Sequence, residues 1–229
     1  AYFLAWPGLD AEAFLSPARL TASIRPQVRE WTLAILKTAA GALLFWGVAR
    51  VAYPLHPLVA AWVGMGGGGL MLHFGVLHLL SCLWRTRGVN ARRLMNNPLA
   101  ATSVSDFWGK RWNTAFRDLA HRFIFRPVSK RLGTTAALWS VFLFSGLVHD
   151  LVISVPAGGG YGLPTLFFLI QALAIEVEHS SFGKNIGLGR GIRGWLFTML
   201  VLAVPVGLLF PLPFLRNIVL PMMEAMGAI

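Results

Sequence analysis

Apolar residues run along this chain in long blocks, broken by clusters of basic residues and by short neutral turns. Five blocks stand out: about Trp31–Val51, about Leu58–Trp84, Thr134–Val155, about Leu163–Val177 and about Trp195–Leu212. A weaker sixth covers Asn217–Ile229. None alternates strictly with period two as a barrel strand would, so each reads as a helix. A helix rises ~1.5 Å per residue and the hydrocarbon core of a bilayer is ~30 Å thick, so blocks of about twenty residues can cross it. The pattern predicts an all-α, polytopic transmembrane helical bundle of five to six spans. Residues 1–229 form one membrane domain, with a basic loop over residues 85–133.

The loops set an orientation. Between Arg85 and Arg131 there are eleven Lys and Arg against two acids, Asp106 and Asp118, and the segment His179–Arg193 carries Lys184, Arg190 and Arg193. The turns Tyr53–Pro57 and Pro156–Gly162 carry no Lys, Arg, Asp or Glu. Basic loops stay on the cytoplasmic side, so the basic segments face inward and the neutral turns outward. Arg19, Arg25 and Arg29 then also fall inside. The opening residues AYFLAWPGLD lack a basic start and an initiator Met, so a cleavable signal peptide is not expected. A fragment lacking its first spans would begin in this way.

Composition agrees with the membrane class. The chain is 56% hydrophobic and 13% charged, about half the charged share of ordinary soluble domains. A single cysteine, Cys82, excludes an intramolecular disulfide framework and a cysteine-rich metal site. The net charge of +11 is confined to the segments between apolar blocks and comes with no nucleic-acid motif, so nucleic acid is not an expected partner. High Ala, Gly and Arg content leans toward a bacterial inner membrane rather than an endoplasmic reticulum.

Within Thr134–Val155, His149 and Asp150 are the only ionisable residues. Such groups below a membrane surface are costly, and they mark a protein interior or wet cavity where chemistry or transport occurs. His149 stands ~22 Å along a helix from the cytoplasmic end of its block, so a cytoplasmic substrate needs a tunnel to reach it. Ser145 lies one turn before it on the same face. Gly146 leaves room for a ligand or a neighbouring helix. Asp150 points ~100° away from His149 and is expected to support the site through another helix.

In the basic loop, Trp108, Trp112, Phe116, Leu119, Phe123 and Ile124 recur every three or four residues, with Lys110, Arg111, Arg117, Arg122 and Arg126 among them. The spacing predicts an amphipathic cytoplasmic helix lying among lipid headgroups, capped at Ser105-Asp106 and ended or kinked by Pro127. If the same helix also lines the mouth of a site, its Arg and Lys would bind a phosphate-bearing substrate.

The segment Asp106-Phe107-Trp108-Gly109-Lys110-Arg111-Trp112-Asn113 resembles the signature of the membrane-bound O-acyltransferase superfamily, MBOAT, and looks most like its wax synthase branch. About thirty residues on, Ser145-Gly146-Leu147-Val148-His149 is similar to the family's Ser-Gly-x-x-His core. The resemblance is clearest over 96–160. It implies an MBOAT-like fold and acyl transfer from a thioester, typically acyl-CoA, to the hydroxyl of a lipophilic alcohol. Under it, His149 is the catalytic histidine and Asn113 the second catalytic residue. A neutral, buried imidazole suits a general base, and an amide donor suits an acyl carbonyl. Trp108, Lys110, Arg111, Trp112 and Arg117 become candidates for the donor headgroup, Ser145 and Gln171 for substrate contact, and Asp150 for support. Neither metal nor cofactor is implied, only acyl-CoA or another acyl thioester as co-substrate. Family members commonly have eight or more spans, so five or six imply a fragment or a compact version.

Two other readings compete. A proton-coupled transporter would use His149 and Asp150 as a relay and would need further acids mid-span, where only His73 and His78 stand. Five residues apart, those two face different directions and are read as packing or tunnel-lining groups. A non-catalytic, lipid-binding scaffold of the same superfamily is the other. Gln171, in the fourth block, needs partners, either across to the His149 helix or on a substrate hydroxyl. Glu176, Glu178 and His179 read as a solvated helix end. The glycines at 64 and 66–69 read as close helix packing rather than a phosphate loop.

Overall fold

The computed structural model describes residues 25–229, so the inward placement of Arg19 lies outside the described residues. Every regular element among them is helical. Four helices are long and apolar enough to cross a membrane: α1 (Val28–Ala52), α2 (Pro57–Thr86), α3 (Thr114–Ala157) and α6 (Gly191–Leu209). The fourth apolar block forms α4 (Leu163–His179), 17 residues long, with Phe167, Phe168, Gln171, Ala172, Ile175 and Glu178 all buried. The shorter helices include α5 (Ser181–Ile186) and α7 (Leu220–Ala225). The residues group into two compact units, one of residues up to 95 together with 219–229, the other of 96–218.

In the first unit, α1 and α2 approach through glycines. A Cβ on Gly67 would stand 2.8 Å from the Gly41 carbonyl oxygen, and one on Gly75 would stand 2.8 Å from Thr38 Cα. Lipid tails are as apolar as leucine, so association in a bilayer relies on such close packing and on interhelical hydrogen bonds. Arg85 of α2 closes one end of the pair with a 2.6 Å ion pair to Glu30 of α1. Met223 of α7, fully buried, fills the space that Gly64 leaves. Gly66 and Gly69 have open space where a Cβ would go, so the glycine run packs closely only at some of its positions. His78 is buried and His73 exposed, as their five-residue offset requires.

In the second unit, the expected amphipathic helix is broken at Trp112 and Asn113, with a π turn on either side of the break. A helical turn over Val104–Asp106 widens into a π turn over Phe107–Arg111. The chain then leaves helical geometry at Trp112 and Asn113, where Asn113 adopts φ 39° and ψ 64°. Asparagine tolerates this left-handed conformation better than most residues. Its Oδ1 accepts a hydrogen bond from Phe116 N–H at 3.2 Å and starts α3. The first cap is Ser103 rather than Ser105-Asp106: Ser103 is extended, and its Oγ accepts from Asp106 N–H at 2.9 Å. Pro127 does not end the helix, because it falls in the first turn after a π turn over His121–Phe125, where a missing N–H costs little. The break comes instead at Gly133, with φ 85° and ψ 170°. This glycine separates the basic, headgroup-like part of α3 from the apolar part that carries His149.

The paired behaviour of the glycines is testable. Gly67→Val should lower the stability of the detergent-solubilised protein by about 1–3 kcal/mol through overpacking. Gly66→Ala should leave it unchanged or raise it by up to ~1 kcal/mol, since helix propensity improves and nothing is displaced. Thermal unfolding monitored by circular dichroism measures both.

Candidate active site

The site is built where the apolar part of α3 crosses α4. Gly146 permits the approach: a Cβ there would lie 2.6 Å from Thr165 Cα. Of the two uses expected for this glycine, room for a neighbouring helix is the one seen. Ser145, the residue before it, is buried and donates its hydroxyl to Val141 O at 2.9 Å, within its own helix. The Ser145 carbonyl is the group that meets His149, accepting from Nδ1–H at 2.7 Å. A carbonyl oxygen can only accept, so the proton must sit on Nδ1. In the neutral ring the lone pair is then on Nε2, which has no hydrogen-bond partner among the described residues. The His149 ring lies 4.5 Å from the ring of Phe168.

Asp150 turns away from His149. One carboxylate oxygen accepts from Ser154 Oγ at 2.9 Å and Gly162 N–H at 2.8 Å. The other accepts from Thr165 N–H at 3.1 Å and from the Thr165 hydroxyl. The Gly162 and Thr165 donors lie at the N-cap and in the first turn of α4, where the helix dipole favours a negative charge. A π turn over Asp150–Ser154 directly after His149 shifts the register at this point. A groove of ≈ 410 Å³ lies on the outer flank of the same hairpin, between Leu147 and Asp150 of α3 and Thr165, Leu166 and Leu169 of α4. His149 does not line it.

The signature segment meets the same helix from the other side. The Trp108 ring packs at 5.5 Å from Phe168 and 5.9 Å from Phe142, with Phe107 at 5.0 Å and Trp112 at 6.5 Å. Its indole N–H donates to Gln171 Oε1 at 3.4 Å. Gln171, fully buried, donates its amide N–H to Val201 O of α6 at 3.0 Å. Among the hydrogen bonds seen, Gln171 reaches the signature tryptophan and α6 and not the His149 helix. Trp108, Trp112 and Phe107 form an aromatic cluster in which each pair contributes ~0.5–1.5 kcal/mol beyond burial. Phe116, three residues after Asn113, stacks on Phe144 of the His149 span at 6.4 Å.

The cationic candidates divide. Arg111 pairs with Asp106 and donates to Asn97 O at 3.2 Å. Arg117 donates to Gly109 O at 3.0 Å and lies 2.8 Å from Asp118. Both brace the segment itself. Lys110 is exposed and has no ion pair among the described residues. No group of three or more His, Cys, Asp or Glu side chains gathers as metal ligands would among the described residues.

Sequence reasoning missed two participants. Phe168, the ring against both His149 and Trp108, is indistinguishable in sequence from other apolar residues of its block. Glu178 is not part of a solvated helix end: it is only 3% exposed and accepts from Val104 N–H at 2.6 Å and from the Ser105 hydroxyl. Its neighbour Glu176 accepts from Trp139 Nε1 at 2.9 Å, while His179 is exposed. The only signal was that Gln171 and Glu178 stand seven residues apart, on one helical face.

Comparison with known proteins bears on this arrangement. Residues 91–170 match the membrane bound O-acyl transferase family. The matched stretch is about a third of the chain, and it is similar to that family. A probable long-chain-alcohol O-fatty-acyltransferase 7 of Arabidopsis thaliana is 26% identical over 135 residues, covering 53% of this chain and 40% of the relative. A long-chain-alcohol O-fatty-acyltransferase of Simmondsia chinensis is 30% identical over 136 residues, 49% of this chain and 39% of the relative. The Arabidopsis relative numbered 1 is 36% identical over 73 residues, 28% and 21% respectively. The chain spans about two fifths of the length of the first two of these curated relatives. No solved structure matches it. The signature segment and the Ser-Gly-x-x-His run both fall within the matched residues, and both pack against α4, of which the match covers only the start.

The role of Asp150 as an anchor can be measured. Asp150→Ala removes the acceptor of four hydrogen bonds and should lower stability by about 1–3 kcal/mol. Asp150→Asn, which keeps acceptor capacity on one oxygen, should lose less. Thermal melts of the two variants in the same detergent decide; equal melts with wild type would end the anchoring account.

Proposed function

We propose that this protein is a membrane O-acyltransferase that moves a fatty acyl group from a thioester, acyl-CoA, to the hydroxyl of a lipophilic alcohol. The observation that carries the reading is the state of His149: Nδ1–H is held by the Ser145 carbonyl, and Nε2 remains for a substrate. Nε2 takes the proton of the acceptor hydroxyl, and the oxygen attacks the thioester carbonyl carbon. The tetrahedral intermediate collapses with cleavage of the carbon–sulfur bond. The departing thiolate takes the proton back from the imidazolium. Asn113 donates a side-chain N–H to the acyl oxygen as charge develops there, an effect that can contribute a few kcal/mol. The aromatic cluster around Trp108 and Phe168 excludes water, which would otherwise compete with the alcohol as acceptor.

Lys110, exposed at the signature turn, is the cation best suited to a phosphate of the donor, with Trp112 beside it. No further cofactor enters this scheme. The names of the relatives, long-chain-alcohol O-fatty-acyltransferases, support an alcohol acceptor. Composition favours a bacterial inner membrane as the setting, although the relatives named above are from plants. The hydrogen bonds that Asp150 accepts from its own hairpin suit anchoring better than the relay a transporter would need.

The test is ester formation by the purified protein in nanodiscs, with radiolabelled long-chain acyl-CoA and a panel of fatty alcohols, sterols and diacylglycerols. Wild type should form ester with a fatty alcohol, and His149→Ala should lower the rate by ~10²-fold or more, the usual contribution of a general base. Equal rates would remove His149 from the chemistry. A folded wild type that forms no ester would favour a non-catalytic, lipid-binding role.

A further inference from the structure

The last turn of α4 holds a carboxylate that the reaction scheme above does not use. Glu178 is buried, and its two oxygens receive two donors from the start of the signature segment, Val104 N–H at 2.6 Å and the Ser105 hydroxyl. His179 Nε2 closes the group at 3.0 Å from Ser105 Oγ and 3.5 Å from Glu178 Oε1. Gly189, at φ +91°, lies beside this side chain, where a Cβ would come into ordinary contact with Glu178 Cγ at 3.4 Å. A carboxylate without a partner at this depth would be costly, so the segment and the acid hold each other in place.

The rest of α4 gives this contact a consequence. Phe168, Gln171, Ile175 and Glu178 follow one another at intervals of three and four, forming one stripe along the helix. Glu178 holds residues 104 and 105, Gln171 holds Trp108 about 10 Å further along, and Phe168 touches both Trp108 and His149. The signature segment is thus fixed to α4 at two polar points, and His149 meets the same stripe at its far end.

We propose that Glu178 is a positioning residue, setting the register of the 103–113 segment along α4 and thereby the placement of Asn113 relative to His149. Its effect on rate rests on the acyl-transfer reading; its effect on the segment does not. A glutamine at this position could accept from Val104 N–H and donate to Ser105 Oγ, whereas alanine could do neither.

The experiment compares Glu178→Ala, Glu178→Gln and, as a control on an exposed acid elsewhere, Glu224→Gln, all in nanodiscs. Hydrogen exchange followed by mass spectrometry should show at least tenfold faster exchange over 103–113 in Glu178→Ala, with α1 unchanged. Glu178→Gln and Glu224→Gln should resemble wild type. In the ester assay, Glu178→Ala should lose tenfold or more in kcat with KM for the alcohol within twofold, and Glu178→Gln should keep at least a third of kcat. Unchanged exchange over 103–113 in Glu178→Ala would overturn the proposal. So would a Glu178→Gln variant as slow as alanine but with wild-type exchange, because the carboxylate would then act by its charge. If wild type makes no ester, the exchange arm still decides the positioning role, and only the acyl-transfer reading falls.

Discussion

Polar groups inside an apolar helix bundle must find their hydrogen-bond partners within the protein, and two of them on α4 organise the second unit. Gln171 and Glu178 are both buried on one face of that helix. Their partners come from elements distant in sequence: Trp108 and Val201 for the amide, Val104 and Ser105 for the carboxylate. Non-directional apolar packing would tolerate sliding of one helix against another. Hydrogen bonds to buried groups do not, since a shift would leave a donor or acceptor unpaired at a cost of about 1–3 kcal/mol each. The location of the signature segment follows from those bonds.

The two motifs then acquire separate physical explanations. In Ser-Gly-x-x-His, the glycine admits α4, the serine carbonyl fixes the imidazole tautomer, and the histidine presents its remaining nitrogen. The following aspartate pins the hairpin by accepting from the turn into α4. In Asp-Phe-Trp-Gly-Lys-Arg-Trp-Asn, the aromatic residues pack, the aspartate and arginine pair with each other, and the asparagine turns the chain and caps α3. Most residues of both motifs therefore hold shape. His149 Nε2 is left without a hydrogen-bond partner among the described residues.

The first unit is assembled by a different device. Its helices meet where side chains are absent, at Gly41, Gly67 and Gly75, and where Met223 enters the space beside Gly64. Close backbone approach gains dispersion over a long seam, and the Arg85–Glu30 ion pair closes one end of it. That suits a pair of helices whose other faces are apolar, and it explains why substitutions at neighbouring glycines differ in their consequences.

The sequence by itself determined the helical class, the apolar blocks and the residues of both motifs. Each depends on local chemistry: hydrophobic length, charge placement, and residue types at fixed spacing. Tertiary structure alone decided how those residues are used. The long amphipathic pattern over 106–126 reads as one helix, yet Asn113 breaks it, because its neighbours Trp108 and Phe116 are drawn toward different partners, Phe168 and Phe144. Pro127 looks like a stop and is not one, since an adjacent π turn places it where no N–H is missed. Gln171 needs partners for its buried amide, and the fold supplies Trp108 and Val201. Glu178 looks like a solvated helix end, but loop and segment residues more than seventy positions away in sequence fold over it. Whether a polar side chain faces solvent, substrate or a distant backbone depends on which elements come to lie beside it, and no local spacing encodes that.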